Sequence, residues 1–274
     1  MKRIVVFVCA ALVCAALAAA PSTLLGQTSP SLKYGTGSPR PLSRIALDGG
    51  VSPLGIQMQV ATNLNSHFNL RGTGNLFNYS TTFTTSGITA AAKLNLASAG
   101  ASLDVYPFRS GFRISPGVLF HNQNQVTAAA SVPGGTSFTL NDQTFYSANA
   151  NAVTGATPVN GSGVLGLNTN KTAFSMTTGW GNMIPRKGGH FSFPFEIGVA
   201  LIGVPTLKVN LGGWVCYDQA QTQCANIANT TDPIAISVQS NLTAQVAKWT
   251  KDLNPLKTYP IVSGGIAYSF GARR

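Results

Sequence analysis

From residue 44 onward, apolar and polar residues alternate with a period of two, which is the pattern of strands rather than of helices. In GIQMQVATNL, Ile56, Met58 and Val60 share one face, and Gln57, Gln59 and Ala61 the other. In FRISPGVLFHN, Phe112, Ile114, Pro116, Val118 and Phe120 alternate with Arg113, Ser115, Gly117, Leu119 and His121. In HFSFPFEIGVAL, the odd positions from Phe191 to Leu201 are apolar, apart from a polar or small even face of Ser192, Pro194, Glu196, Gly198 and Ala200. The same phase runs on through Leu207, Val209 and Leu211. The alternation predicts eight strands, near 44–51, 55–63, 68–80, 88–106, 112–131, 172–183, 190–213 and 259–270. A shift of phase between Leu94/Leu96 and Leu103/Val105 predicts a bulge in the fourth. Short connections (Asn65-Ser66-His67, Pro107 to Gly111, Pro185 to Gly189) alternate with long ones at 81–87, 132–171 and 214–258. TSFTLNDQTFY within the second long connection reads as a hairpin turning at Asn141-Asp142.

Two architectures bury such strands. A soluble sandwich turns the apolar faces inward. A membrane barrel turns them to lipid and keeps the polar faces for its lumen. Composition separates the two. Charged residues are only 9% of the 274-residue chain, against about 25% in ordinary soluble domains. The polar strand faces carry Gly, Ser, Thr, Asn and Gln rather than Lys and Glu. Disorder is excluded by 14 Phe, 7 Tyr and 3 Trp. Lys2 and Arg3 precede an unbroken apolar run from Ile4 to Ala20, the pattern of a secretory signal peptide. The expected organisation is a signal peptide at 1–20, a Pro/Ser/Thr/Gly-rich leader at 21–43, and an all-β, antiparallel, eight-stranded transmembrane barrel at 44–274 in the outer membrane of a Gram-negative cell envelope. Short connections are then periplasmic and long ones extracellular.

Within that frame the rare charges gain meaning. Arg71, Asp104, Arg113 and Glu196 all fall on polar faces near the periplasmic turns, which predicts a lumenal ion cluster with Asp104 between the two arginines. Such a cluster either plugs the lumen or forms a gate. Cys216 and Cys224 in WVCYDQAQTQC are spaced for a small disulfide-closed loop in an oxidising compartment, and no histidine lies nearby to suggest a metal. Asp232-Pro233 is an N-cap followed by Pro at the first helical position. Ile234, Val238, Leu242, Val246, Trp249 and Leu253 then recur at helical spacing, predicting an amphipathic helix over 232–253 in the last extracellular loop. It either packs as a lid on the barrel mouth, lies on the outer leaflet or binds a partner. Lys248, Lys251 and Lys257 at its end suit the helix dipole and the phosphates of lipopolysaccharide alike. Arg109, Arg186, Lys187, Arg273 and Arg274 gather on the periplasmic side.

Enzyme chemistry is not indicated. No GxSxG, HExxH or P-loop pattern occurs. Of the three histidines, His67 and His190 fall at periplasmic turns and only His121 near an outer strand end. No cofactor or metal is implied, and no basic stripe with interleaved aromatics marks a nucleic-acid surface.

The final strand, YPIVSGGIAYSF, resembles that of the small OmpA-type outer-membrane barrels of bacteria. The resemblance implies that Phe270, with Tyr268 and Ile266 on the same face, is read by the barrel-insertion machinery. Here Gly-Ala-Arg-Arg follows, displacing the terminal carboxylate. GIQMQVATNLNSHFNLRGTGN and ASLDVYPFRSGFRISPGVLF resemble a narrower subgroup of exported barrel proteins, one that brings no established activity. The expected partners are outer-membrane lipids and lipopolysaccharide, and the expected state is a monomer. An eight-stranded barrel is filled by its own side chains, so a structural or surface-interaction role is expected. A narrow conduit or binding site for a small, hydrophobic ligand is the alternative, and a lipid-modifying enzyme a distant third.

Overall fold

The computed structural model describes residues 40–85, 88–108, 110–167, 172–186 and 189–271. The expected signal peptide, the leader up to residue 39, and Arg109, Lys187, Arg273 and Arg274 lie outside the described residues.

In chain order the strands are β1 (Arg44–Ser52), β2 (Gly55–Asn63), β3 (Phe68–Thr85), β4 (Ile88–Val105), β5 (Arg113–Asn122), β6 (Gln125–Ser131), β7 (Ser137–Leu140) and β8 (Gln143–Ser147). There follow β9 (Asn160–Gly166), β10 (Ala173–Trp180), β11 (Phe191–Ser192), β12 (Phe195–Leu201), β13 (Thr206–Gly212), β14 (Trp214–Cys216) and β15 (Cys224–Asn226). The helix α1 (Pro233–Asp252) and β16 (Thr258–Gly271) complete the chain. The fold is mostly antiparallel sheet, and among the described residues no helix is long and apolar enough to cross a membrane.

Pairing runs β1-β2-β3-β4-β5-β10-β12-β16 and returns to β1, so these strands form a ring without a free edge over their shared height. Closure runs from Arg44 opposite Gly271 to Val51 opposite Gly264. β11 continues the line of β12 across Phe193-Pro194 and pairs with the lower part of β16. The period-two pattern makes this ring possible, because one parity of every strand faces in and the other out. The outward parity is apolar and bare: Phe191 is 66% exposed, Phe193 72% and Ile197 51%. The inward parity is polar and covered, as with Gln57, Gln59, Asn75 and Ser115.

At the end carrying the long connections, the ring grows a second layer. The upper half of β4 pairs with β6, β6 with β9, and β9 with β13. A separate sheet, β7-β8-β14-β15, faces this extension. Asn141 and Asp142 take positive φ (47° and 68°) in the two-residue turn between β7 and β8, as a primed hairpin turn requires. Helix α1 packs against β13, β15, β7 and β14. Its Asp232 cap accepts from the Ile234 amide at 2.8 Å, with Pro233 at the first turn. Ile234, Val238, Leu242 and Val246 join Phe145, Val159 and Val215 in one apolar core, whereas Trp249 and Leu253 are outside it. The helix therefore closes the apolar core of a folded subdomain.

Several expectations need correction. The run 190–213 is not one strand: β12 leaves the ring at Leu201, and Gly203 (φ 77°) turns the chain toward β9. The hydrophobic phase persists because Val209 and Leu211 face the subdomain core, which selects the same residues as an apolar exterior. The run 112–131 is interrupted at Gln123-Asn124, where the Asn124 side chain accepts from the Ala97 amide at 2.8 Å. Nor does β4 carry the bulge. It stays in one register against β3 throughout, and the irregularity is in β5, where the pairing skips Phe120 between Gly100–Leu119 and Ala99–His121. The phase shift read in the fourth strand arises because the inner face of β4 changes from polar lumen to apolar subdomain as the strand rises past the rim.

Candidate functional site

The four charges singled out in the sequence meet inside the ring. Arg71 Nη2 lies 3.0 Å from Asp104 Oδ1, Arg71 Nη1 2.9 Å from Glu196 Oε2, and Arg113 Nη2 3.3 Å from the same Glu196 oxygen. All four side chains are at most 5% exposed. Hydroxyls complete the network: Ser115 donates to Asp104 at 2.7 Å, Thr177 to Glu196 at 3.2 Å and Ser263 to Glu196 at 3.1 Å. The order differs from the expected one. Glu196, not Asp104, bridges the two arginines. The register explains this. Val105 faces Ile114, so the neighbour of Asp104 on β5 is Ser115, not Arg113. Arg113 and Glu196 instead flank Gly179 from either side of β10. A Cβ at Gly179 would come within 2.1 Å of the Phe195 carbonyl oxygen, so only glycine lets the two charged strands close over β10.

A third carboxylate, Asp48 on β1, also faces the lumen at 6% exposure, and its Oδ2 has no hydrogen-bond partner. Sequence reading passed over it, although it shares parity with the inward Ala46. The network thus joins two guanidinium groups and two carboxylates, with the Asp48 carboxylate on the same inward side of the ring. Charges at such depth are stable only when paired, so the direct contacts of Arg71, Glu196 and Arg113 hold the facing strands together.

Below the network the lumen is stoppered by the connection between β10 and β11. Met183 and Ile184 are fully covered there, packed on the small inward residues Ala46, Ala61 and Ala267. Arg44 ties the segment in place, donating to the Pro185 carbonyl at 2.6 Å, the Gly189 carbonyl at 3.0 Å and Ser269 Oγ at 2.8 Å. Asn69 Nδ2 donates to Asn182 Oδ1 at 3.0 Å, and Arg113 Nη1 donates to the Gly181 carbonyl, joining stopper and ion network. The guanidinium of Arg186 sits 5.3 Å from the Tyr106 ring centre. The signal missed in the sequence is an apolar pair inside a Pro/Gly-rich turn, matched by alanines on the polar parity of three strands. Above the network remains a cavity of about 50 Å³, with Arg71 and Glu196 among its walls and Leu54 of the β1–β2 turn at its top. It has room for a few water molecules but not for a sugar or a peptide.

The remaining candidates are dispersed. Cys216 and Cys224 form a disulfide between β14 and β15, far from the lumen in sequence and sheet. In the loop it closes, Asp218 accepts from the Thr222 amide at 2.9 Å and the Gln223 amide at 3.0 Å, which hold its carboxyl below the usual range. Lys248 pairs with Asp142 at 3.1 Å on the surface. Ile266, Tyr268 and Phe270 share the outward face of β16, with the Phe191 ring edge-on to Tyr268 at 4.9 Å. His190 Nδ1 lies 2.8 Å from the Ser269 carbonyl oxygen, and His121 is exposed on β5. Among the described residues, no three His, Cys, Asp or Glu side chains gather as a metal site.

No protein-family model matches the sequence, and no curated protein matches it. Two solved structures from Acinetobacter baumannii are similar in three dimensions. CarO is 16% identical with a TM-score of 0.49, over 84% of this chain and 98% of that one. CarO2 is 15% identical with a TM-score of 0.51, over 85% of this chain and 100% of its own. At that identity the likeness to CarO2 is one of architecture: the chain shares the fold of CarO2 along that protein's whole length.

Proposed function

We propose that this chain is an exported outer-membrane β-barrel whose eight-stranded ring spans the bilayer, closed to solutes, and holds the disulfide-containing subdomain out from the cell surface as its interaction surface. The observation that carries this reading is the inversion of polarity across the ring. Bare Phe191, Phe193, Phe195 and Ile197 face outward, while ion-paired Arg71, Arg113, Asp104 and Glu196 face inward. In water such an exterior would be a very large apolar patch. In a bilayer it is the expected solvent boundary. The N-terminal apolar run supplies export, the long connections then stand outside, and Ile266, Tyr268 and Phe270 serve insertion. The role is non-enzymatic.

Closure distinguishes display from transport. Both the ion network and the stopper lie across the lumen, and the strands that leave the ring build a folded body with its own core. The purified protein in planar lipid bilayers is therefore expected to give no stepwise conductance. Discrete conductance steps would instead favour the narrow conduit, with the cavity above Arg71 and Glu196 as its vestibule.

A further inference from the structure

β2 begins at Gly55, and its ladder with β3 ends where Ile56 faces Leu76, but β3 climbs on to Thr85. Above that point, among the described residues, β3 is paired only on its β4 side, and residues 78–85 are exposed on both faces. The hydrogen-bonding parity of this free edge is fixed by the turns below. The Leu64 amide donates to the Phe68 carbonyl, and the Tyr106 amide to the His67 carbonyl. Even residues of β3 therefore bond toward β2 and odd residues toward β4, by the alternation of an antiparallel ladder. Above Leu76, the amides and carbonyls of Asn78, Ser80, Thr82 and Thr84 point to the vacant side.

Sheet proteins blunt such edges with Lys, Pro, bulges or short length. None of these occurs here: the segment FNYSTTFTT from Phe77 to Thr85 is uncharged, in continuous register and ~30 Å long. It is also self-complementary. About a two-fold axis through Thr81, Ser80 meets Thr82, Asn78 meets Thr84, and Tyr79 meets Phe83. The even pairs fall at hydrogen-bonded sites, so each free amide finds a carbonyl. The aromatic pairs fall at the non-hydrogen-bonded sites, where side chains approach most closely. Tyr79 and Phe83 are 57% and 51% exposed, and both aromatic pairs lie on one face. The five strands β13-β9-β6-β4-β3 of each copy would continue as one sheet across the axis.

We propose that this edge of β3 docks on the same edge of a second copy of the chain, held in an apposed membrane. The inference rests on the membrane reading above for the placement of the copies. An axis normal to the sheet reverses the strand direction, so the two barrels point toward each other rather than standing side by side. The four aromatic rings, already half covered, add roughly 300–500 Å² of buried surface. With two strand backbones the contact remains below the ~1,200 Å² of a stable complex. A single contact is therefore transient, and it acts through the many copies that two apposed membranes present. Each barrel remains a monomer in its own bilayer.

The test uses phosphatidylcholine–phosphatidylglycerol vesicles in two populations, each carrying the full chain with a different tag. In the variant Thr81→Cys, the two cysteines face each other at a non-hydrogen-bonded pair with Cα atoms ~4.5 Å apart, within disulfide reach. Oxidation is expected to give a covalent dimer carrying both tags, and Asn78→Cys none, because its own copy lies far along the partner strand. Thr82→Pro removes an amide that faces the vacant edge and leaves the β4 ladder intact. It is expected to abolish clustering of vesicles while the folded barrel keeps its gel mobility. Absence of the Thr81→Cys dimer, equal yields from both cysteine variants, or dimers within one population only would overturn the pairing. The gel mobility of unheated and heated samples reads the membrane barrel separately. If it still shifts while the dimer is absent, the pairing alone fails; if it does not shift, the membrane reading fails and takes the pairing with it.

Discussion

Replacing Glu196 by Gln is expected to destabilise the folded barrel by about 3 kcal/mol, the order seen when one partner of a buried ion pair is removed. The amide keeps the shape, but its single carbonyl oxygen can accept from only one of Ser263 and Thr177, which donate to different carboxylate oxygens of Glu196. It also loses the charge shared by two guanidinium groups, 2.9 Å and 3.3 Å away. Arg71 would keep Asp104, but Arg113 would keep only the Gly181 carbonyl. Neither arginine can shed its proton, and both side chains are almost fully covered inside the ring. Because Arg113 also holds the first residue of the stopper, loss of Glu196 should loosen the β10–β11 connection as well. The measurement is the urea midpoint of the reconstituted protein, with limited proteolysis near Met183 as the second readout. An unchanged midpoint would show that the network contributes nothing to closure.

The second large effect is expected on the opposite face of the same strand. Ile197 neighbours Glu196 in sequence but points outward, between Thr178 of β10 and Val262 of β16. Ile197→Arg should cost about 2–4 kcal/mol in vesicles, as charged residues do near the mid-plane of a membrane barrel. On a surface meeting water, the same change at a half-exposed position would fall within about 0.5 kcal/mol. The measurement is again the urea midpoint in vesicles. A cost near zero would remove the lipid boundary from the account.

The alternation in GIQMQVATNL and HFSFPFEIGVAL made the strands and their two faces legible, because a pleated strand can satisfy only two environments and the residues state which is polar. The environment itself was less legible. Val199 faces outward from the ring and Val209 faces the subdomain core, in one unbroken phase, since both surroundings select apolar side chains. Only Gly203 and the asparagines 122 and 124 mark where the chain leaves the ring, and their signals are local. The ion cluster was legible as charges on polar parity. The order of its contacts was not, because stagger between strands decides whether Ser115 or Arg113 faces Asp104. The helix was legible from its cap and spacing, yet its place depended on the β7-β8-β14-β15 sheet, whose short strands carry little pattern of their own. Met183 and Ile184 were hidden by their position in a turn, where apolar residues are ordinarily read as incidental.

The claim beneath both predictions is that the outward residues of the ring meet acyl chains. Nitroxides attached at 195, 197, 199 and 201 in vesicle-reconstituted protein test it most directly. The account predicts relaxation dominated by dissolved oxygen, with little access for a water-soluble nickel chelate. Free access of the chelate to all four positions, as on any hydrated surface, would contradict it.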